Sequence, residues 1–297
     1  MRLRLTEKDI QLLKFLGKYK IMLATDSKKI YEAKGYHFKR LKVLEKEKYI
    51  KRVNRYYIKL DVNGIKLIKD FGYGYHNICR KSDYQERVKE IVKIATLTIG
   101  STIKFIPSWE IKDNAIFTET ARKYIGELIY QGKRYIAYYI SNERKEVYIR
   151  QIITDIQKAS DYKNVMIFVE NINVLNKANQ YFIFGKECTL IISTGKTKEK
   201  MRKFEEFDFY ELIKQIYKGK EILLSNWIKA DYVTSKKDYI VLMPFLDTEK
   251  LHKLNKFYKN NEDTNRKIDI ITLSQNIDKI NEILTNKANI IELDNLL

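Results

Sequence analysis

Residues 36–60 read YHFKRLKVLEKEKYIKRVNRYYIKL, and the change of period inside this stretch decides the fold. Over 36–46 the apolar residues Phe38, Leu41 and Leu44 recur every three residues, which predicts a helix with that stripe turned to a core. From Tyr49 the period becomes two. The runs Tyr49–Val53 and Tyr56–Leu60 alternate around the polar turn Asn54-Arg55, the signature of a β-hairpin.

Working outward, Gly35 ends the preceding turn, and Thr25 or Asp26 caps a short helix whose apolar side is Ile30, Tyr31 and Ala33. Further back, Thr6-Glu7-Lys8-Asp9 has the spacing of a capping box, with Leu5 and Ile10 placed as its hydrophobic staple. Ile10, Leu12, Leu13, Leu16 and Tyr19 continue at helical spacing, so a first helix is expected to reach about Tyr19. Downstream, Asp61 is expected to cap a helix from Val62 to Phe71. Helix, helix-turn-helix, hairpin and helix in this order predict a winged helix-turn-helix over 1–75.

In such a fold the start of the second helix of the pair meets base edges in the major groove, and the hairpin turn meets phosphate or the minor groove. The expected DNA-contacting residues are Tyr36, His37, Lys39, Arg40, Lys42, Val43 and Lys46 on the helix. On the hairpin they are Lys51, Arg52, Asn54 and Arg55. The charge distribution points the same way. Residues 1–80 hold 21 Lys/Arg and 8 Asp/Glu, a net +13, whereas the whole chain carries +19. A general demand for solubility does not require such clustering, but a phosphate-facing surface produces it. Double-stranded DNA is therefore the expected partner.

The rest of the chain reads differently. A glycine-punctuated stretch from Gly72 to Tyr75 leads to a helix from Asp83 to about Leu97, expected as a linker over 76–98 and suited to homodimer formation. From 99 to 297 the pattern predicts a mixed α/β domain with an internal break near 200–220. Strands are expected around Ile103–Phe105, Trp109–Phe117, Gly126–Tyr130, Arg134–Ile140, Val165–Glu170 and Leu190–Ser193. Others are expected at Glu221–Leu224, Tyr232–Val233, Tyr239–Met243, Ile268–Leu273 and Ile290–Leu293. Helices are expected at Lys145–Ala159, Asn173–Asn179, Glu205–Tyr217, Thr248–Asn260 and Ile277–Leu284. The fold class is thus α+β or α/β, a winged helix followed by a mixed domain.

Several chemistries lack their residues. Cys79 and Cys188 have no metal-ligand spacing, and the three histidines His37, His76 and His252 are scattered. Gly195-Lys196-Thr197 resembles the end of a phosphate-binding loop, but Leu190 stands where its first glycine belongs. Glu110, Asp113 and Glu127 are the carboxylates from which a metal-dependent nuclease site would be built, yet the run Tyr135–Ile140 between them and the next helix carries neither an acid nor a lysine. No cofactor, metal or catalytic residue is expected. No apolar run approaches the ~18 residues of a spanning helix and no signal peptide is visible, so a cytoplasmic protein without a membrane partner is expected.

Four segments resemble the replication-relaxation family of plasmids and other mobile elements. They are Leu5-Thr6-x-x-Asp9-x-x-Leu12, Arg40-Leu41-x-x-Leu44 with Tyr49-Ile50, Tyr57-x-x-Leu60-x-x-x-Gly64, and Trp109 to Asn114, in which Asp113 is the nearest match to a Trp-x-Pro-Asp stretch. The resemblance implies a nuclease-like second domain and a role in replication, DNA relaxation or transfer at an origin-type site, with replication or transfer proteins as partners. Ile111-Lys112 replaces the family's proline and its later acidic strand motif is missing, so the expectation is a DNA-binding protein without nuclease activity. The alternatives are a transcriptional regulator whose second domain senses a ligand or partner, and a divergent metal-dependent nuclease.

Overall fold

A computed structural model of the chain describes residues 4–32, 35–72, 82–111, 123–158, 164–171, 173, 174, 177, 187–192, 195–227, 229–260 and 267–296. It is a mixed α+β protein with ten α-helices and three sheets among the described residues. The chain divides into two compact units, residues 1–112 with 125–129 and residues 113–124 with 130–297.

The first unit begins with α1 (Glu7–Tyr19), opened by the expected capping box. The Thr6 hydroxyl accepts from the Asp9 backbone N–H, and the Asp9 carboxylate accepts from the Thr6 N–H at 2.7 Å. Leu12, Leu13 and Leu16 are fully buried, each stabilising the unit by roughly 1.5–3 kcal/mol. A short strand β1 (Met22–Leu23) and a 3₁₀ turn lead to α2 (Lys28–Tyr31) and α3 (Tyr36–Lys46). Gly35, immediately before α3, has φ +76°, a conformation that a residue with a Cβ adopts only under strain. Strands β2 (Ile50–Arg52) and β3 (Tyr57–Leu60) pair antiparallel, and β1 adds to the far edge of β3 in the order β1-β3-β2.

Helix α4 (Val62–Asp70) lies close to the chain at Tyr49, whose carbonyl accepts from the Asp61 N–H at 3.0 Å. Gly64 permits this approach, because a Cβ there would sit 2.1 Å from the Tyr49 carbonyl oxygen. Asp61 holds the N-cap position of α4, but it makes no side-chain cap. Its carboxylate accepts from Lys51 Nζ at 2.9 Å instead.

Helix α5 (Ser82–Ala95), expected as a linker, is counted within the first unit, and Val88, Ile91 and Ile94 are fully buried. Strands β4 (Lys104–Pro107) and β5 (Gly126–Tyr130) pair antiparallel. Trp109 and Glu110 form a turn, correcting the expected strand at its start. The remainder of that expected strand, with Asp113, lies outside the described residues. The Tyr19 hydroxyl donates to the Phe105 carbonyl at 2.9 Å, fixing α1 to β4 within this unit.

In the second unit, β6 (Lys133–Ile140), β7 (Asn164–Val169) and β8 (Glu187–Ile192) run parallel, with α6 (Glu146–Lys158) between the first two. Tyr138, Tyr139 and Phe168 are fully buried here. The second sheet of this unit contains β9 (Ile222–Leu224), β10 (Tyr232–Thr234), β11 (Tyr239–Met243), β13 (Ile268–Thr272) and β14 (Asn289–Glu292), while β12 (Leu246–Asp247) pairs with β8. The strand order is β14-β13-β11-β10-β9, parallel from β11 to β14 and antiparallel on the β9 side. Most strands and helices of this unit lie where the sequence placed them; the helix Gly195–Lys203 and the short strand β12 were not expected, the helix expected from Glu205 starts at Phe209, and most of the expected helix Asn173–Asn179 lies outside the described residues.

Candidate nucleic-acid interface

The geometry of α3 starts from a buried acid. Asp9 is fully buried on α1, with its two oxygens shared among four side-chain or backbone donors. The Tyr31 hydroxyl donates to Oδ1 at 2.8 Å, and Thr6 occupies Oδ2. Arg40 completes the set as a fork, with Nε to Oδ1 at 2.8 Å and Nη2 to Oδ2 at 2.5 Å. A further bond runs from Nη2 to the Arg4 carbonyl at 3.0 Å. Burial alone would push the Asp9 carboxyl upward. The donors from Arg40, the Thr6 backbone, Tyr31 and the Thr6 hydroxyl outweigh it and hold the group below the ordinary carboxylate value.

This arrangement corrects the expectation for three residues. Arg40 does not project from the exposed face of α3: its side chain is 13% exposed and its guanidinium is spent on Asp9. His37 is 6% exposed and part of the core, whereas Phe38, expected in the core, is 43% exposed. The buried stripe is therefore His37, Leu41 and Leu44, one position displaced from the expected Phe38, Leu41 and Leu44 at its first member. Both stripes satisfy i, i+3/i+4 spacing. The ion pair selects between them, because Arg40 reaches Asp9 only when the side of α3 that carries His37 is turned inward.

With that side buried, the outer arc of α3 carries Phe38, Lys42, Lys46, Lys39, Val43 and Tyr36, in angular order at 100° per residue. All six are exposed. Lys39, Lys42 and Lys46 have no acidic partner among the described residues. Tyr36 packs edge-on to Tyr31 at 6.0 Å between centroids.

The hairpin supplies a second group. Asn54 is a turn-former: its Oδ1 accepts from the backbone N–H of both Tyr56 and Tyr57 at 2.9 Å. That bond pattern holds Arg55 at the tip, with its guanidinium 5.2 Å over the Tyr56 ring. Arg52 lies 3.5 Å from Glu45 of α3, which ties hairpin to helix. Lys51 is directed to Asp61. Val53 and Tyr56, which the sequence reading left out, are among the most exposed apolar side chains here. Their place at either end of the polar turn was the available signal, since side chains at a hairpin tip have no second layer to cover them.

The carboxylates considered for a nuclease take other roles. Glu110 is 3.7 Å from Lys18, and burial raises its pKa above the ordinary value while Lys18 and Lys20 oppose the shift. Glu127 is buried in β5. Among the described residues no three His, Cys, Asp or Glu side chains gather as a metal-binding group. Gly195 opens the helix Gly195–Lys203 directly after β8. Cys79 lies outside the described residues. No helix among the described residues is long and apolar enough to cross a membrane.

No protein-family model, no curated protein and no solved structure matches this chain.

Proposed function

We propose that this protein binds double-stranded DNA, with α2 and α3 as the helix pair of a winged helix-turn-helix and β2–β3 as its wing. The observation that carries the reading is the outer arc of α3. Three lysines without acidic partners stand on it beside a hairpin that presents Arg52 and Arg55, in a region of net +13. A polyanion of regular shape is the partner that such a surface fits. Lys39, Lys42 and Lys46 act on phosphates, and Arg55 reaches phosphate or the minor groove. In this reading the target is an origin-type site of a mobile element, which the resemblance of four short segments to replication-relaxation proteins supports, and a protein without nuclease chemistry marks the site for other factors. The test is fluorescence anisotropy of a labelled duplex against the whole chain over a salt series. The expected result is tight binding whose logarithm falls linearly with log salt concentration, by about 0.9 per phosphate neutralised. Binding that is absent at low salt rejects the reading.

A second reading, an effector-responsive regulator, is favoured by a cleft of about 310 Å³ in the first unit. Phe15, Tyr19 and Ile30 form its apolar floor, and Gln11, Lys14 and Lys18 its polar rim. Because α1 and α2 both line it, a small anionic apolar ligand would act on the elements that support α3. A thermal-shift screen of such carboxylates, with Phe15→Ala as control, tests it.

A further inference from the structure

The recognition surface of α3 carries no arginine, and this bears on what it reads. Guanine is read in the major groove at O6 and N7 by a bidentate arginine, or by a lysine. Arg40, the one arginine on α3, is turned inward and held by Asp9. The first two turns instead present Tyr36, Phe38 and Val43, at 45%, 43% and 37% exposure, interleaved with Lys39 and Lys42. These three side chains keep a third to a half of their surface in water on a charged helix, apolar area that a partner can cover with gain. On the base edges of the major groove the only apolar feature is the 5-methyl of thymine.

We infer that the site is thymine-rich duplex DNA, read in the major groove by contact of Phe38 and Val43, aided by Tyr36, with thymine methyl groups, while the lysines between them hold phosphates. This inference rests on the DNA-binding reading and adds the class of sequence recognised. The hairpin is compatible with it. Arg55 at the tip suits a minor groove narrowed by A·T pairs, whose negative potential attracts arginine. A·T preference could then arise in either groove, and the experiment has to separate the two.

Uracil does so. Replacing thymine by deoxyuridine removes the methyl from the major groove and leaves every hydrogen-bonding group of both grooves unchanged. Duplexes bound by the full chain are selected from a random-sequence pool and sequenced. The winners are then resynthesised with thymine or with uracil, and anisotropy is measured for both. The expected result is selection of A·T-rich sites and weaker binding of the uracil duplex, about fourfold for each methyl contacted. The double variant Phe38→Ala, Val43→Ala is expected to lose most of the difference between the two duplexes and to bind both near the level of the native protein on the uracil duplex. Both side chains are exposed, so this variant is expected to fold, and its circular dichroism and melting curve check that.

Equal binding of thymine and uracil duplexes with the salt dependence intact overturns the inference and leaves DNA binding standing. So does a pool that returns G·C-rich sites. Failure to bind any duplex at low salt overturns the DNA reading itself. If the double variant leaves DNA affinity unchanged but alters the sedimentation of the free protein, the apolar residues serve a protein contact and the inference is overturned by that route.

Discussion

The two parts of the chain differ in how many acids stand beside their bases. Residues 81–297 hold 36 Lys/Arg and 30 Asp/Glu, and in the second unit several lysines meet one: Lys214 with Glu211, Lys220 with Asp238, Lys250 with Asp231, Lys253 with Glu249 and Lys279 with Glu282. Lys200 pairs with Asp294 in the same way. In residues 1–80 the 8 acids cannot serve 21 bases. The acids there are used structurally: Asp9 holds Arg40, Glu45 meets Arg52 and Asp61 meets Lys51. Of the cations left over, Lys39, Lys42 and Lys46 stand together on one arc of α3. The difference teaches that net charge alone does not define a binding surface. What matters is which bases the fold consumes, and on α3 it consumes the arginine and leaves Lys39, Lys42 and Lys46.

Breaking the Asp9–Arg40 pair is expected to have the largest effect. Arg40→Ala leaves a carboxylate buried without its cation, which costs about 3–5 kcal/mol, measurable by urea denaturation. Any loss of DNA affinity should then follow the unfolded fraction. A stable Arg40→Ala variant with weak DNA binding would return Arg40 to the base-reading set and collapse the contrast. The pair also has an acid limit. The folded pKa of Asp9 lies below its ordinary value of 3.8, so its contribution is fully present above that value and is lost as pH falls through the depressed one. Asp9→Asn is expected to be less stable at neutral pH and to flatten the acid limb of the stability curve.

The next effect separates the two lysine populations directly. Lys39→Ala, Lys42→Ala and Lys46→Ala together are expected to lower the salt slope of duplex binding by about 2.7, three contacts at 0.9 each. The matched triple Lys214→Ala, Lys253→Ala, Lys279→Ala removes the same charge from the second unit, and its slope is expected to stay within error of the native protein. Equal losses in both triples would mean that the whole chain acts as a diffuse polycation.

Within the second unit the counterpart of Asp9 is Asp269, buried in β13, which accepts from the Tyr217 hydroxyl and from Asn289 Nδ2 at 2.9 Å. Burial, and then this carboxylate, push the Tyr217 hydroxyl well above the ordinary tyrosine range. Tyr217→Phe removes one donor from a buried acid and is expected to cost about 1–3 kcal/mol without moving DNA affinity. Stability and binding should thus separate in this unit.

The sequence was informative where a period or a cap has only one solution. The capping box at Thr6, the change of period at Tyr49 and the alternating strands after Gly126 all form close to where they were expected. It misled where two solutions share a spacing. His37 and Phe38 compete for one buried position, and hydropathy favours phenylalanine. The choice is made by an ion pair between residues 31 positions apart, which no local pattern contains. Asp61 was misread for a related reason. An N-cap position attracts the expectation of a cap, but a lysine on the neighbouring strand competes for the same carboxylate.

The smallest expected effect tests whether the hairpin tip acts by shape or by charge. The Asn54 oxygen is committed to the N–H groups of Tyr56 and Tyr57, so the side chain shapes the turn. Asn54→Ala loses that turn bond, at a cost of about 0.5–1 kcal/mol, and frees the tip on which Arg55 stands. Asn54→Asp keeps an acceptor of the same shape and adds a negative charge beside Arg55. If the tip works by placing a cation near phosphate, the aspartate variant keeps its melting temperature but weakens in duplex affinity and salt slope. The alanine variant does the reverse, melting earlier with a slope close to native. A hairpin that serves only as structural support predicts instead that both variants retain native affinity once folded. In that case the charge contrast between the units would rest on α3 alone.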